Sequence, residues 1–208
     1  MVLMDRDYEI LREVERWRVC LGRHIKSLVG FTGERACDRR LKMLIDAGYM
    51  ERSHILYGVP GVYTLTHKAK VLLALNPKKE RIKADTIVHD IAVLDTAIYM
   101  LCRYNISRSD ILTEKELHMK DGFSNRKHNP DFIFNKDGLK HCVEVELSHK
   151  AKDRFIRNVK SNYMKYDRQI WVLPMSDKRN RMLLTKSGYT DIEIIDCEVI
   201  RDYIRNSK

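Results

Sequence analysis

The sequence predicts an α/β chain, α+β overall: a small helical N-terminal part closed by a β-hairpin, then a larger part in which helices flank a mixed sheet. Three observations carry this reading. The first third holds three amphipathic helical stretches followed by two short β-prone runs around Pro60-Gly61. The segment NPDFIFNKDGLKHCVEVELSHK, residues 129–150, reads as strand, turn and strand. Around it, helical periodicity alternates with β-branched runs in the order helix, three strands, helix, strand.

In the N-terminal part, Tyr8, Ile10, Leu11, Val14 and Trp17 recur at helical spacing, with Asp5 the expected N-cap. Gly22 precedes a short helix over 23–29, and Gly30-Phe31-Thr32-Gly33 makes a turn. A third helix is expected over 34–47, with Ala36, Cys37, Leu41, Leu44 and Ile45 inward and Arg35, Arg39, Arg40 and Lys42 outward. Gly48 stops it. Two helices joined by a Gly-containing turn, the second rich in arginine, make a helix-turn-helix pattern. Runs 49–52 and 61–66 read as strands joined by a loop containing Tyr57-Gly58-Val59-Pro60. RRLKMLIDAGYMER followed by VYTLT resembles winged-helix proteins, in which such a loop is the wing.

That resemblance implies a DNA reader over 1–76. Arg39, Arg40 and Lys42, with Arg35 on the same helix, would meet phosphates or guanine edges, and Arg52 or His54 would reach the backbone. The same fold also serves protein contacts behind a solvated basic face. Here the charge sits where DNA reading needs it. A helix from His67 packs the wing and ends at Asn76-Pro77. The polar run that follows makes 77–84 the expected linker.

The second part, 85–208, opens with a helix over about 85–103 carrying Ile87, Ile91, Leu94, Ile98 and Leu101 at regular spacing. His89 in this helix reads as a hydrogen-bonded core or interface residue. A first strand is expected over 111–117, whose Glu114 and Glu116 either approach the acidic cluster or stand as edge charges. Strands 131–134 and 141–147 follow. Ser148 is expected to cap a helix reaching Tyr166, with Ala151, Phe155, Val159 and Tyr163 inward and Lys150, Lys152, Arg154, Arg157, Lys160 and Lys165 outward. Strand 169–173 ends at Pro174, and helix 178–186, strand 192–195 and helix 198–206 complete the chain.

Glu144 and Glu146 lie two apart and share one strand face, and a hairpin brings Asp131 to the same end. Three carboxylates there repel one another unless a cation sits among them, and oxygen ligands suit a hard divalent ion. Solvated charges on an exposed strand are the alternative, but Cys142, Val143, Val145 and Leu147 argue for burial. Pro130-Asp131 followed by Glu144-Val145-Glu146 resembles the core motif of the PD-(D/E)xK nuclease superfamily. The resemblance implies magnesium held by Asp131 and Glu144. Glu146 stands at the motif's usual lysine position, as a ligand or water-orienting base, and Lys150 is the nearest replacement lysine. The αβββαβ order is that superfamily's core.

RDYEIL, RRLKML, AGYMER, YTLT, HDIAVLDTAI, LTEKEL, NPDFIF, VEVELSHKAKDRF and QIWVLP together resemble the replication-relaxation family of mobile-element proteins, over nearly the whole chain. The resemblance implies a winged helix fused to a nuclease-like domain, encoded on plasmids, phages or integrative elements.

The formal charge of +10 is spread through the chain: 15 lysines and arginines face 10 acids through Glu80, and 24 face 19 after it. An acidic polymer is the expected partner. Five scattered cysteines without a CxxC pair predict reduced, buried thiols. No apolar run approaches membrane-spanning length and MVLMDRDYEI lacks a signal-peptide core, so a cytoplasmic protein is expected. The sequence therefore predicts a double-stranded-DNA-binding accessory or regulator of a mobile element, dimeric because helix-turn-helix proteins read paired half-sites. Replication or mobilisation proteins are further expected partners. The alternative is a magnesium-dependent endonuclease using Asp131, Glu144, Glu146 and Lys150.

Overall fold

Local capping and turn chemistry decide where most elements begin and end. The computed structural model of the chain describes residues 2–55, 57–76, 84–122, 128–148 and 151–206. They form two compact units, Met1–Leu94 and Asp95–Lys208, and the division falls inside a single helix. Of the expected linker, 77–83 lies outside the described residues and Ala84 opens that helix.

In the first unit, α1 (Asp5–Trp17), α2 (Gly22–Val29) and α3 (Glu34–Asp46) precede antiparallel strands β1 (Met50–Ser53) and β2 (Val62–Leu65), then α4 (His67–Leu72). Asp5 is the first residue of α1 and not its cap. Asp7, in the position that reaches back over the first turn, accepts the Met4 N–H at 2.8 Å. At α2 the Leu21 N–H donates to His24 Nδ1 at 3.1 Å, and Gly30 closes the helix at φ 69°. Helix α3 buries Cys37, Leu41 and Leu44, whereas Ala36, expected inward, is exposed. Thr66 caps α4 by accepting from the Ala69 N–H. Leu21, Val62 and Ile87 form a buried cluster.

Arg40, expected to face outward on α3, is turned inward. Arg40 is mostly covered and its guanidinium grips both oxygens of Asp7, whose side chain is fully buried. A carboxylate carried by α1 into the core requires a partner, and Arg40 is the α3 residue that faces it.

The second unit takes the remainder of α5 (Ala84–Arg103), then β3 (Ile111–Thr113), α6 (Glu114–Asp121), β4 (Phe132–Lys136), β5 (Leu139–Val145), α7 (Lys152–Tyr163), β6 (Arg168–Leu173), α8 (Lys178–Thr185), β7 (Ile192–Asp196) and α9 (Cys197–Asn206). The five strands lie in order β3-β4-β5-β6-β7. The first three are antiparallel and β5, β6 and β7 run parallel. The chain is thus α+β with a mixed sheet.

The expected strand over 111–117 stops at Thr113. Thr113 and Glu116 form a capping box, with Glu116 Oε2 accepting the Thr113 N–H at 2.7 Å, so Glu114 and Glu116 belong to a helix. Ser148 does not cap α7, whose N-cap is Ala151. The β4–β5 connection is the two-residue turn Asp137-Gly138, both left-handed at φ 52° and 77°. This is the turn class whose twist suits a two-residue hairpin.

Cross-strand register places Ile133, Cys142 and Gln169 in one row, with Glu144 and Trp171 in the next row of the same face. Leu117 of α6 packs against Ile133 and Cys142. Phe155 and Val159 of α7 and Leu184 of α8 pack against Trp171 and Leu173. Tyr104 meets Phe134 and His141 on the opposite face. Cys20, Cys37, Cys142 and Cys197 are buried free thiols; Cys102, against expectation, is exposed. Burial, with Asp38 and Glu198 respectively adding to it, lifts Cys37 and Cys197 to about 11. Among the described residues, no helix is long and apolar enough to cross a membrane.

Burial pulls the Asp7 carboxyl upward, but Arg40 and the Met4 N–H outweigh it and leave the group below its ordinary range. The folded state therefore binds this proton less readily than the unfolded chain. The resulting stability is complete above the ordinary aspartate range and drains away as pH falls through it. Arg40→Ala is expected to lower the unfolding free energy by about 3 kcal/mol at neutral pH, by leaving a buried charge unmet. Urea titrations should show that deficit shrinking below about pH 4.

Candidate functional site

Helix α3 presents a basic stripe. Arg35, Arg39 and Lys42 are exposed, at spacings of four and three that place them along one side. Arg35 and Arg39 have no ion-pair partner among the described residues. Lys42 reaches Asp46 at 3.0 Å, but with side chains 75% and 61% exposed this pair is worth only a few tenths of a kcal/mol. The helix is preceded by the turn after Gly30 and followed by the β1–β2 hairpin. On β1, Arg52 lies over the Tyr63 ring, 5.5 Å from its centroid. Gly61 makes room for it, since a Cβ there would stand 2.7 Å from Arg52 Nε. His54 is exposed beside it. Lys68 Nζ donates to Ala47 O at 2.8 Å, closing the C-terminal end of α3.

The acidic end of the sheet is built differently from a set of free carboxylates. Antiparallel register brings the residue before Phe132 alongside the residue after Val143. Asp131 Oδ2 there accepts the Val145 N–H at 2.7 Å. Glu144 is almost fully buried. Its Oε1 lies 2.5 Å from His128 Nε2 and accepts from Asn162 Nδ2 at 2.8 Å. Glu146 is also buried, and its Oε1 accepts from Ser148 Oγ at 3.1 Å and from the Ser148 N–H at 3.3 Å. The three acids are thus brought to one end of the hairpin, each held by protein donors. Among the described residues, no three His, Cys, Asp or Glu side chains form a group able to hold a metal ion. Lys150 lies outside the described residues.

Two members of this site escape sequence reasoning. His128 stands three residues before Asp131, in the stretch His128-Asn129-Pro130-Asp131, and that proximity is the signal available. Asn162 comes from α7, and only the fold brings it to Glu144. Their surroundings are polar. Asn129 Nδ2 bridges His118 Nδ1 and Asp121 Oδ2 at 3.3 and 3.2 Å, and Lys165 Nζ donates to His128 O at 3.3 Å. Burial, reinforced by Cys142, Asp121 and Glu144, raises the Tyr166 phenol to about 12.

A cavity of about 240 Å³ opens at the other end of the parallel strands, lined by Tyr104, His141, Arg168, Asp191 and Glu193 among others. Its charged groups are already matched. Arg168 pairs with Asp191, Arg103 with Glu193, and Tyr104 Oη donates to Glu193 Oε2 at 2.9 Å.

No family model, curated protein or solved structure matches this chain. Asp131→Ala, which leaves the Val145 N–H without its acceptor, is expected to cost about 1–2 kcal/mol of stability. Asp131→Asn, which keeps an acceptor oxygen, should recover most of it in the same denaturation assay.

Proposed function

We propose that the chain is a double-stranded-DNA-binding accessory or regulatory protein that reads DNA as a winged helix. The observation that carries this is the solvent-facing Arg35–Arg39–Lys42 stripe on α3, with Arg52 on the adjoining hairpin. A helix about 10–12 Å across fits the major groove, and a stripe from Arg35 to Lys42 runs about 10 Å along its axis. Arginines with no competing ion pair keep their donors available for guanine edges and phosphates. In the second unit, exposed Lys152, Arg154, Arg157 and Lys160 on α7 offer further backbone contacts. A role on a mobile element, and a dimer on paired half-sites, extend the reading along the sequence resemblance.

Fluorescence anisotropy with duplex DNA across a salt series tests it. Each of Arg35→Ala, Arg39→Ala and Lys42→Ala should weaken binding and reduce the log–log salt slope by about 1. A triple variant that still binds like the wild type would sink the proposal.

Cleavage is the second reading, and two observations favour it. Strands β3, β4 and β5 followed by α7 and β6 support the αβββαβ order that the sequence resemblance implies, and Asp131 and Glu144 stand side by side at one end of β4 and β5. Under this reading, supercoiled plasmid is nicked with magnesium, and Asp131→Asn and Glu144→Gln abolish nicking while the gel shift persists. An intact plasmid at high protein and metal concentration removes the reading and leaves the first standing.

A further inference from the structure

We infer that His128, Glu144 and Asn162 form a binding site for a first-row transition-metal dication, with a mixed nitrogen and oxygen donor set distinct from three carboxylates. The inference is independent of DNA binding by the first unit.

Glu144 is 5% exposed in its side chain, and its contacts with His128 and Asn162 both fall on one oxygen, Oε1. Asn162 is fully buried. Because its NH₂ donates to the carboxylate, its Oδ1 must be the other end of the amide, and that oxygen has no hydrogen-bond partner among the described residues. A buried acceptor left beside a buried carboxylate calls for a donor or a cation, and no described residue supplies one to the amide oxygen. A cation meets both needs at once.

The third group selects the ion. His128 Nε2 already lies 2.5 Å from Glu144 Oε1. Parting these atoms to about 3 Å gives the spacing of two ligands around a metal with bonds of about 2.0–2.2 Å. An imidazole beside oxygen donors suits manganese, iron or zinc, whereas magnesium prefers oxygen alone. His128 and its neighbour are braced, since Lys165 holds the His128 carbonyl and Asn129 is tied to His118 and Asp121. His128 is 25% exposed, which gives an ion a way in. Asp131 stays outside the set, because its carboxylate is committed to the Val145 N–H.

Manganese is the probe. Titration of the full chain with Mn²⁺, followed by the loss of the free-ion electron paramagnetic resonance signal, should give one site per chain. Pulsed measurements on the bound ion should show nitrogen-14 modulation from an imidazole. His128→Ala is expected to abolish the modulation and weaken binding at least tenfold. Asn162→Asp guards against a simple folding defect. It puts a second carboxylate beside Glu144, so it should be less stable than wild type with a chelator and gain more from Mn²⁺. Absence of a stoichiometric site, binding without nitrogen modulation, or a site that Asp131→Asn destroys and His128→Ala spares would each overturn the assignment.

Discussion

A carboxylate taken out of water obliges the fold to surround it with donors, and one such carboxylate organises each unit. In the first, Asp7 draws Arg40 of α3 inward and fixes the rotation of that helix against α1. Arg35, Arg39 and Lys42 are thereby left facing solvent. In the second, Glu144 draws a histidine from the loop before β4 and an asparagine from α7 onto one oxygen. Elements far apart in sequence are held by the same need to neutralise one charge.

Strand β5 is where that need becomes severe. It is antiparallel to β4 on one side and parallel to β6 on the other, and five consecutive residues from His141 to Val145 are buried. A strand covered on both faces has no solvent side on which to place a glutamate. The polar head of Glu144 is accommodated there because α7 and the 128–131 segment arrive with polar atoms, while Cys142 and Trp171 beside it meet apolar partners.

What was legible in the sequence follows a physical divide. Periodicity and turn chemistry are local, so α1 to α3, the β1–β2 hairpin, α5, the β4–β5 hairpin and β6 lie close to their expected positions. Thr113-x-x-Glu116 was as local a signal, yet the β-branched start of that run masked it. The capping box ended the strand at its third residue. Arg40 and Asn162 were illegible for a different reason: their roles depend on which side chain another element buries opposite them. Composition marks Arg40 as one more surface arginine, and only the packing of α1 on α3 sets it apart. The acids at 131, 144 and 146 were found because spacing along a hairpin is a local rule. Their partners were not, because those come from outside it.

The Asp137-Gly138 turn has a bearing on which changes of length this chain can absorb. With only two residues between β4 and β5, both in left-handed backbone, one inserted residue would shift the pairing by a step. Glu144 would then swing to the face occupied by Phe132 and Phe134, away from His128 and Asn162. The loop between β1 and β2 carries no such burden, since those strands form a separate two-stranded sheet that holds none of the acidic residues at 131, 144 and 146. Lineages of this protein should therefore vary in length at 54–61 and hold it constant at 137–138.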